Sequence, residues 1–404
     1  MKNIIFLSYL NLWSMDKNKG APSFYRTIEG YINDGWNVVL INPQYEVGAS
    51  PKIEGLTNIT FKPVFYPLCK IKKVSFIGRI LHSLHGSLKL FLLGRKVLQQ
   101  FGGKAIIYSY EVNSAIAGNK LRHKFNLPFV TRFQGTVLYP IKNNWYNRLK
   151  FYPHFQALEI NADITIMTDD GTLGDKVLER LDNQSTKVFF WRNGVDISYN
   201  EPRNETAIKD LRSKYNISSS DEVLITVSRL ASWKKVNRAI EALSVITKER
   251  KNCKLIIVGD GDDKENLISL TNKLNLNNNV IFAGAIPQSE VKNYLNLADI
   301  FLSLYDLSNV GNPLLEAMSC GKPIITLNVG DTSSIIKHES NGILLEVEEL
   351  SKIPQYINKI LDNKEYSIKL GRQAKEFSKV NFRTWKNRID MELNEVNELY
   401  NKYL

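Results

Sequence analysis

The sequence has little of what several protein classes require. Its 404 residues include only three cysteines, Cys69, Cys253 and Cys320, which are far apart and lack the spacing of metal ligands. This usage fits a reducing compartment and argues against a disulfide framework. Hydrophobic residues at 43% and charged residues at 23% exclude a disordered or collagen-like chain. The length predicts two or three domains, each with a substantial core.

Long apolar runs and a recognisable leader are also missing. No window holds the roughly 18 uncharged apolar residues that a membrane-spanning helix needs. The apolar start of the chain is interrupted by Ser8, Tyr9 and Asn11, and no small-residue cleavage site follows it. We therefore expect residues 3–9 to form a buried strand rather than a signal peptide, and we expect a cytoplasmic protein.

Acidic residues are absent from one long segment. Residues 55–110 contain none, although they contain nine basic residues, which are Lys62, Lys70, Lys72, Lys73, Arg79, Lys89, Arg95, Lys96 and Lys104. The formal net charge is +12, and residues 1–193 carry all of the excess, with 25 Lys/Arg against 13 Asp/Glu. Residues 194–404 carry 28 of each. This asymmetry predicts an anionic partner for the first half only.

The part of this segment between residues 65 and 96 mixes apolar with basic side chains. Two interpretations remain open. Amphipathic basic helices bind anionic membrane surfaces, at about 1 kcal/mol per basic residue near the surface. The same pattern also results where a solvated face covers ordinary core helices.

Short, fully apolar runs alternate with helical patterns along the whole chain. This alternation predicts parallel sheets covered on both faces. The runs fall into two sets of about six, which favours two Rossmann-like α/β domains over one barrel. We place the break near residues 192–196, and we expect a long amphipathic helix over residues 382–404. The expected strands are Ile4–Ser8, Asn37–Ile41, Ala105–Tyr108, Phe129–Phe133, Ile164–Met167, Val188–Trp191, Val223–Ser228, Lys254–Val258, Val280–Ala283, Ile300–Leu304, Pro323–Leu327 and Ile343–Leu345.

Ligands of open α/β sheets bind at the carboxyl ends of the strands, so the strand-to-helix turns are the candidate sites. The first turn lacks a GxGxxG fingerprint, but Gly20 allows backbone to approach a ligand. After the strand that ends near Ser228, Arg229 and Lys234 provide two cations that can clamp a diphosphate. Gly259, after the next strand, permits a tight turn.

The segment from Tyr305 to Pro323 carries the strongest pattern. Asn312 and Pro313 suit a helix start, with amides and a positive dipole end facing an anion or sugar hydroxyls near Gly311. Glu316 is expected in the first turn of that helix, where a carboxylate is favoured by the dipole and can accept two hydroxyl hydrogen bonds from a ribose diol.

Taken together, these motifs resemble the retaining glycosyltransferases of the GT-B fold, specifically family 4. The resemblance is much stronger after residue 190 than before it. It rests on residues 193–196, Arg229-Leu230 with Lys234, residues 258–261, 298–300, 313–318 with 321–323, and 341–342.

The resemblance implies two Rossmann-like domains that face each other across a cleft where reaction occurs. Residues 1–193 would bind the acceptor and residues 194–380 a nucleotide-sugar donor, while the final helix, 381–404, would pack back on the first domain. Arg229 and Lys234 would hold the donor diphosphate without a metal ion or other cofactor. Glu316 would bind the ribose, and amides near Gly311 and Asn312 would contact sugar or phosphate. Gly20 and Gly259 would also belong to the donor-binding site.

Two positions depart from the family pattern. The first of two glutamates usually found eight residues apart is Ser308 here, although Ser308 and Asn309 can hydrogen-bond a sugar. The family's histidine-glycine pair is Gln134-Gly135, and glutamine cannot take a proton. In retaining transfer by front-face attack, the leaving phosphate can itself accept the acceptor's proton. Gln134, Ser308 and Asn309 are therefore the catalytic candidates.

The acceptor side is less specific. Glu111 and Asn113 follow a predicted strand and are candidate acceptor contacts. We expect a glycan or lipid-linked acceptor in surface polysaccharide or glycoconjugate synthesis, and a peripheral position on the inner face of the cell membrane. Two alternatives remain open: a non-catalytic homologue that binds nucleotide sugar or membrane, and a nucleotide-sugar epimerase on the same fold. No nucleic-acid-binding motif is present.

Overall fold

A computed structural model gives the structure of the chain and describes residues 2–10, 22–45, 53–69, 71 and 75–403. The chain divides into two compact units. The first comprises Met1–Asp169, Leu173–Arg192 and Trp385–Leu404, and the second comprises Asp170–Thr172 and Asn193–Thr384. The sequence predicted boundaries after residues 193 and 380. The structure places them after Arg192 and Thr384, so the two predicted boundaries are one and four residues away.

The first unit is built on a seven-stranded parallel sheet with the strand order β3-β2-β1-β4-β5-β6-β7. Its strands are β1 (Lys2–Ser8), β2 (Trp36–Pro43), β3 (Leu56–Phe61), β4 (Ile106–Tyr110), β5 (Phe129–Phe133), β6 (Ile164–Thr168) and β7 (Lys187–Trp191). Six were expected from the sequence. The edge strand β3 was missed because its side chains are largely half-buried, so its composition is mixed rather than apolar.

Helices cover both faces of this sheet, since two buried clusters lie on opposite sides of it. The side chains of β1 show the division: Ile5 and Leu7 belong to one cluster, and Ile4 and Phe6 to the other. The helices are α1 (Pro22–Asn33), α2 (Tyr66–Cys69), α3 (Ser75–Gln100), α4 (Val112–Phe125), α5 (Trp145–Lys150), α6 (Tyr152–Leu158) and α7 (Gly174–Arg180).

The second unit has a six-stranded parallel sheet with the order β10-β9-β8-β11-β12-β13. Its strands are β8 (Glu222–Val227), β9 (Cys253–Val258), β10 (Val280–Gly284), β11 (Ile300–Ser303), β12 (Ile324–Leu327) and β13 (Ile343–Leu345). All six correspond to expected strands. The predicted fold class, α/β with two parallel Rossmann-like sheets, is therefore confirmed.

Seven α-helices belong to this unit. They are α8 (Glu205–Lys214), α9 (Asn237–Ile246), α10 (Lys264–Lys273), α11 (Gln288–Leu297), α12 (Asn312–Ser319), α13 (Ile353–Asp362) and α14 (Lys364–Asn381). Helix α8 precedes β8, and the others follow the strands or close the unit. Two buried clusters again lie on opposite faces of the sheet.

The last helix, α15 (Trp385–Tyr403), belongs to the first unit and packs on α1. A fully buried ion cluster accompanies its apolar face. Glu392 accepts hydrogen bonds from Arg132 of β5 at 3.1 Å and from Arg388 at 3.0 Å. Burial raises the pKa of the Glu392 carboxyl, but the two guanidinium groups outweigh it, and the net pKa is below the usual range. Because the charges are buried, loss of one partner would be strongly destabilising.

None of the helices in the described part of the chain combines the length and the apolar content that a bilayer crossing requires.

Candidate active site

The strand order of the second sheet reverses between β8 and β11, and the turns that follow these two strands carry most of the candidate residues. In open parallel sheets, a crevice for ligands forms at the carboxyl ends of the strands at such a reversal. The turn after β8 contains Arg229 and Lys234, and the turn after β11 contains Ser308, Asn309 and Gly311. The fold therefore brings candidates from distant parts of the sequence to one edge.

The Arg229 turn is held in place by the turn after β9. Leu230 N donates to Asp260 O at 2.9 Å, and Asp263 N donates to Leu230 O at 3.0 Å. A Cβ on Gly259, whose φ is +135°, would lie 1.8 Å from Ser228 O. Gly259 was predicted to contact the donor; the structure shows that its missing side chain lets the two turns pack.

Arg229 is exposed, and its guanidinium group forms no hydrogen bond or ion pair with the described residues. Lys234 Nζ lies 4.3 Å from the ring centroids of Trp233 and Tyr305 and donates to Ser308 O at 3.4 Å. Burial lowers the pKa of Lys234 to about 7; Asp170 opposes this effect and Arg229 adds to it. Asp170 thus compensates the buried Lys234 only in part, and the Arg229 guanidinium adds a second positive charge nearby, an arrangement that favours an anionic ligand.

Ser308 and Asn309 have different positions. Ser308 has a left-handed backbone with φ of +57°, and its Oγ donates to Asp170 Oδ2 at 2.7 Å. Asn309 is buried; its Oδ1 accepts from Tyr305 N, and its Nδ2 donates to Tyr305 O at 3.0 Å. The amide of Asn309 therefore holds the loop, which differs from the predicted contact with a reacting sugar.

Helix α12 begins one residue earlier than expected. Gly311, not Asn312, is the N-cap residue, and Asn312 is the first helical residue. The side chain of Asn312 accepts a hydrogen bond from Asn193 Nδ2 at 3.0 Å. The Asn312 side chain thus ties α12 to the segment that opens this unit, and Gly311 provides the side-chain-free N-cap of α12.

Glu316 lies beyond the first turn of α12, contrary to the sequence prediction, and is only 4% exposed. Its Oε1 accepts a hydrogen bond from Gln288 Nε2 at 2.7 Å, and Tyr199 also hydrogen-bonds to the carboxyl group. Burial raises the pKa of Glu316 to about 8, although the two hydrogen bonds lower it. Its role as a ribose ligand stays a prediction, because both partners present are protein groups.

In the first unit, the structure brings together two candidates that the sequence places 23 residues apart. Gln134 N, after β5, donates to Glu111 Oε1, after β4, at 2.8 Å. The Gln134 side chain donates to Tyr110 Oη at 2.5 Å and accepts from Ser23 Oγ at 3.2 Å. This cluster lies at the carboxyl edge of the sheet, where an acceptor hydroxyl could be oriented.

Glu111 has an unusual backbone, with φ of 76° and ψ of 166°. Residues other than glycine seldom occupy this region, which costs about 1–3 kcal/mol, and such strain is concentrated at functional sites. Asn113, by contrast, accepts a hydrogen bond from Ser83 Oγ at 2.7 Å, so part of its predicted acceptor-binding capacity is used within the unit.

Gly20 lies outside the described residues, as do Lys70, Lys72 and Lys73 of the basic segment. Within residues 2–10, 22–45, 53–69, 71 and 75–403, no group of three or more His, Cys, Asp or Glu side chains is arranged to hold a metal ion.

Sequence reasoning missed one residue of the site. Asp170 lies in the turn after β6 and belongs by its contacts to the second unit. Burial raises the pKa of its carboxyl group, and hydrogen bonds from Thr172 and Ser308 and the nearby Lys234 lower it. The signal available was the one used for the other turns: Asp169-Asp170-Gly171 follows a predicted strand of mostly apolar composition.

Known proteins match the second unit most closely. The sequence profile of the family described as Glycosyl transferases group 1 matches residues 207–377. The N-acetyl-alpha-D-glucosaminyl L-malate synthase of Bacillus anthracis is 32% identical over 176 residues, which is 44% of this chain. That match spans 45% of the enzyme, less than half of its length. An uncharacterized glycosyltransferase of Methanocaldococcus jannaschii is 23% identical over 84% of this chain and 85% of its own.

Solved structures match almost the whole chain at low identity, so they show the fold alone. Sucrose-phosphate synthase of Thermosynechococcus elongatus has a TM-score of 0.78 at 19% identity and covers 98% of both chains. Anabaena HepE in complex with UDP-glucose has a TM-score of 0.73 at 17% identity, covering 98% of this chain and 100% of its own. The chain thus has the two-sheet α/β architecture of these GT-B structures, and residues 207–377 match the glycosyl transferases group 1 family.

Proposed function

We propose that this protein is a retaining glycosyltransferase that uses a nucleotide-sugar donor. The observation that carries the proposal is the pair of cations after β8, since the Arg229 side chain has no ion-pair partner among the described residues and Lys234 Nζ lies against two aromatic faces. Both lie within the part of the chain that matches the glycosyl transferases group 1 family. A nucleoside diphosphate supplies the negative charge that this edge lacks.

The chemistry assigned to the cations is stabilisation of the leaving group. The bond between the sugar C1 and the diphosphate oxygen breaks, and a bond from C1 to the acceptor oxygen forms on the same face. The proton of the acceptor hydroxyl passes to the leaving phosphate oxygen, so no protein base is needed. Arg229 and Lys234 offset the charge that develops on the diphosphate, and we propose that no metal ion is required.

The remaining donor and acceptor roles follow the same proposal. Glu316 accepts hydrogen bonds from the ribose hydroxyls after its hydrogen bond with Gln288 breaks. The amides at the start of α12 bind sugar or phosphate. Gln134 and Glu111 orient the acceptor hydroxyl. The complex of Anabaena HepE with UDP-glucose supports a nucleotide-sugar donor for this fold.

A thermal-shift screen against UDP, GDP, dTDP and their common sugars tests the proposal. We expect one nucleoside diphosphate to raise the melting temperature through its linkage to the folded state, with EDTA making no difference. Arg229→Ala and Glu316→Ala should each weaken that nucleotide's affinity, whereas Lys248→Ala, which changes an exposed cation elsewhere in the second unit, should not. A stabilising nucleotide whose binding ignores Arg229 and Glu316 would contradict the assigned site.

The screen also separates the alternatives. If no nucleotide stabilises the protein, the non-catalytic accessory interpretation is favoured. If a nucleotide sugar is bound and converted to a stereoisomer without transfer, the epimerase is favoured.

The membrane interpretation has a separate observation in its support. Helix α3 exposes four large apolar side chains on one face, Ile77, Leu84, Leu88 and Leu92, with exposures of 59%, 49%, 54% and 39%. Lys89 and Lys96 are exposed beside them. We propose that this face lies on an anionic membrane or a lipid-phosphate acceptor, since apolar insertion and electrostatic attraction reinforce each other.

Sedimentation with vesicles tests this surface. Anionic phosphatidylglycerol vesicles should bind the protein, binding should weaken with salt, and phosphatidylcholine vesicles should bind poorly. Leu84→Ser with Leu88→Ser should reduce binding about tenfold or more, whereas the exposed Ile368→Ser of the second unit serves as the matched control. If vesicle binding is unchanged by salt and by the two leucine substitutions, this face of α3 is an ordinary solvated face.

A further inference from the structure

Asp170–Thr172 is a short segment with closely specified contacts in the second unit. Val310 N donates to Asp170 O at 3.1 Å, and Asp331 N donates to Gly171 O at 3.2 Å. A Cβ on Gly330, whose φ is +61°, would lie 1.7 Å from Gly171 O. The segment is therefore fitted against glycine backbone, and the Asp170 side chain has a defined direction.

The Asp170 carboxyl group is 8% exposed and accepts hydrogen bonds at both oxygens. Thr172 Oγ1 donates to Oδ1 at 2.6 Å, and Ser308 Oγ donates to Oδ2 at 2.7 Å. A hydroxyl group has one proton and two lone pairs. Because Ser308 donates its proton to Asp170, its oxygen can offer only lone pairs to a ligand.

Ser308 stands close to the groups assigned to the donor. Its carbonyl oxygen accepts from Lys234 Nζ at 3.4 Å, and a Cβ on Gly311, at the start of α12, would lie 4.0 Å from its Oγ. The sequence has a serine rather than a carboxylate at position 308, but the Asp170 carboxylate accepts the hydrogen bond of that serine. The Ser308 oxygen can therefore act as a hydrogen-bond acceptor, as a carboxylate at this position would.

We propose that Asp170 is a positioning residue that fixes Ser308 as a hydrogen-bond acceptor for one hydroxyl group of the donor sugar. This inference rests on the proposed function and adds to it the determinant of sugar recognition. A hydroxyl at the contacted position donates to Ser308 Oγ, whereas a fluorine at that position cannot donate.

The isosteric change Asp170→Asn reverses this polarity. The asparagine amide can donate to Ser308 Oγ, which frees the serine proton to point toward the ligand. In the wild type, fluorine at the contacted position faces a lone pair of Ser308 Oγ instead of donating a proton to it, and should weaken binding about tenfold or more. In Asp170→Asn, the same substitution should cost less than about threefold.

The experiment measures calorimetric affinities for UDP, UDP-glucose and its 2-, 3-, 4- and 6-deoxyfluoro analogues. If the screen selects guanosine, GDP-mannose and the matching analogues are used. Asp169→Asn, one residue away and ion-paired with Arg192 at 2.9 Å, is the control for loss of a negative charge. It should keep both the wild-type fluorine profile and, within twofold, the wild-type affinity for the nucleoside diphosphate.

The variant Ser308→Ala distinguishes a role of Asp170 through the Ser308 hydroxyl from a purely structural role of Asp170. It should remove the discrimination at the same hydroxyl, and adding Asp170→Asn to it should change nothing further, since the two residues act as one unit. A wild-type fluorine profile that persists in Asp170→Asn would overturn the inference, because Asp170 would then only hold its segment. The inference would also be overturned if the wild type binds the nucleoside diphosphate normally but binds all of the fluorinated analogues as tightly as the parent sugar nucleotide. Failure of every nucleoside diphosphate to bind would instead overturn the proposed function, and this inference with it.

Discussion

The two units differ in whether their cationic side chains have an anionic partner. The first half of the chain carries the whole excess of positive charge, yet the buried Arg132 and Arg388 of the first unit are paired with Glu392. The second half is neutral, yet it leaves Arg229 unpaired among the described residues and holds Lys234 at a pKa of about 7. An anion site is therefore indicated by charge that the fold leaves uncompensated, rather than by net charge.

The largest expected effect concerns the paired charges. Glu392→Gln leaves two guanidinium groups buried without a counter-ion and should cost about 3–5 kcal/mol of stability in the first unit. Urea unfolding, together with hydrogen exchange of the α15 amides, measures this loss. Glu398→Gln, on the same helix but exposed and paired with Lys187 at 3.0 Å, should cost less than about 1 kcal/mol. Equal effects of the two changes would show that the buried cluster does not hold α15.

The unpaired charges should govern chemistry instead of stability. Lys234→Ala should lower the rate of nucleoside diphosphate release from the donor that the thermal-shift screen selects about 10²–10³-fold, as removal of one stabilising group at a developing negative charge typically does. Its melting temperature should not fall, since a desolvated cation is removed. Lys248→Ala is the surface control. If Lys234→Ala lowers the rate only as far as it lowers the melting temperature, the charges of the second unit contribute to stability rather than to chemistry.

The bracing of the Arg229 turn gives the next prediction. Gly259→Ala places a methyl group against Ser228 O and should displace the turn, weakening binding of the nucleoside diphosphate that the screen selects about tenfold or more. Gly284→Ala is the matched change, because Gly284 also has a positive φ, +72°, but no atom lies within 4 Å of its Cβ. It should reduce stability by about 1 kcal/mol and leave the affinity for that nucleoside diphosphate unchanged. Similar affinities for both variants would show that the close packing does not position Arg229.

The sheets could be predicted from the sequence because strands that are buried on both faces of a parallel sheet are mostly apolar, without polar alternation. All six strands of the second unit were predicted, whereas β3, half-buried at an edge, was not. The motif turns after β8, β9 and β11 were found for the same reason, since each follows an apolar strand.

The site was only partly predictable, because partners come from distant segments. The carboxyl group nearest Ser308 belongs to Asp170, which is 138 positions away in the sequence. Asn309 was assigned to chemistry because its type suits a sugar, but its burial assigns it to the loop. Spacing shows which residues share a turn and does not show which way each side chain points.

The smallest predicted effect is the pH dependence of nucleotide binding. In the free protein Lys234 is half-protonated near pH 7, and a bound diphosphate raises its pKa, so binding takes up a proton. Affinity should therefore fall as pH rises, by about eightfold between pH 6.5 and 8, a range above the phosphate pKa of about 6. Glu316, with a pKa of about 8, titrates in the same range, so the measurement uses the Glu316→Gln background. Lys234→Arg in that background keeps its charge throughout and should give a flat profile. If affinity in the Glu316→Gln background is flat or rises with pH, Lys234 is not the uncompensated cation that distinguishes the second unit from the first.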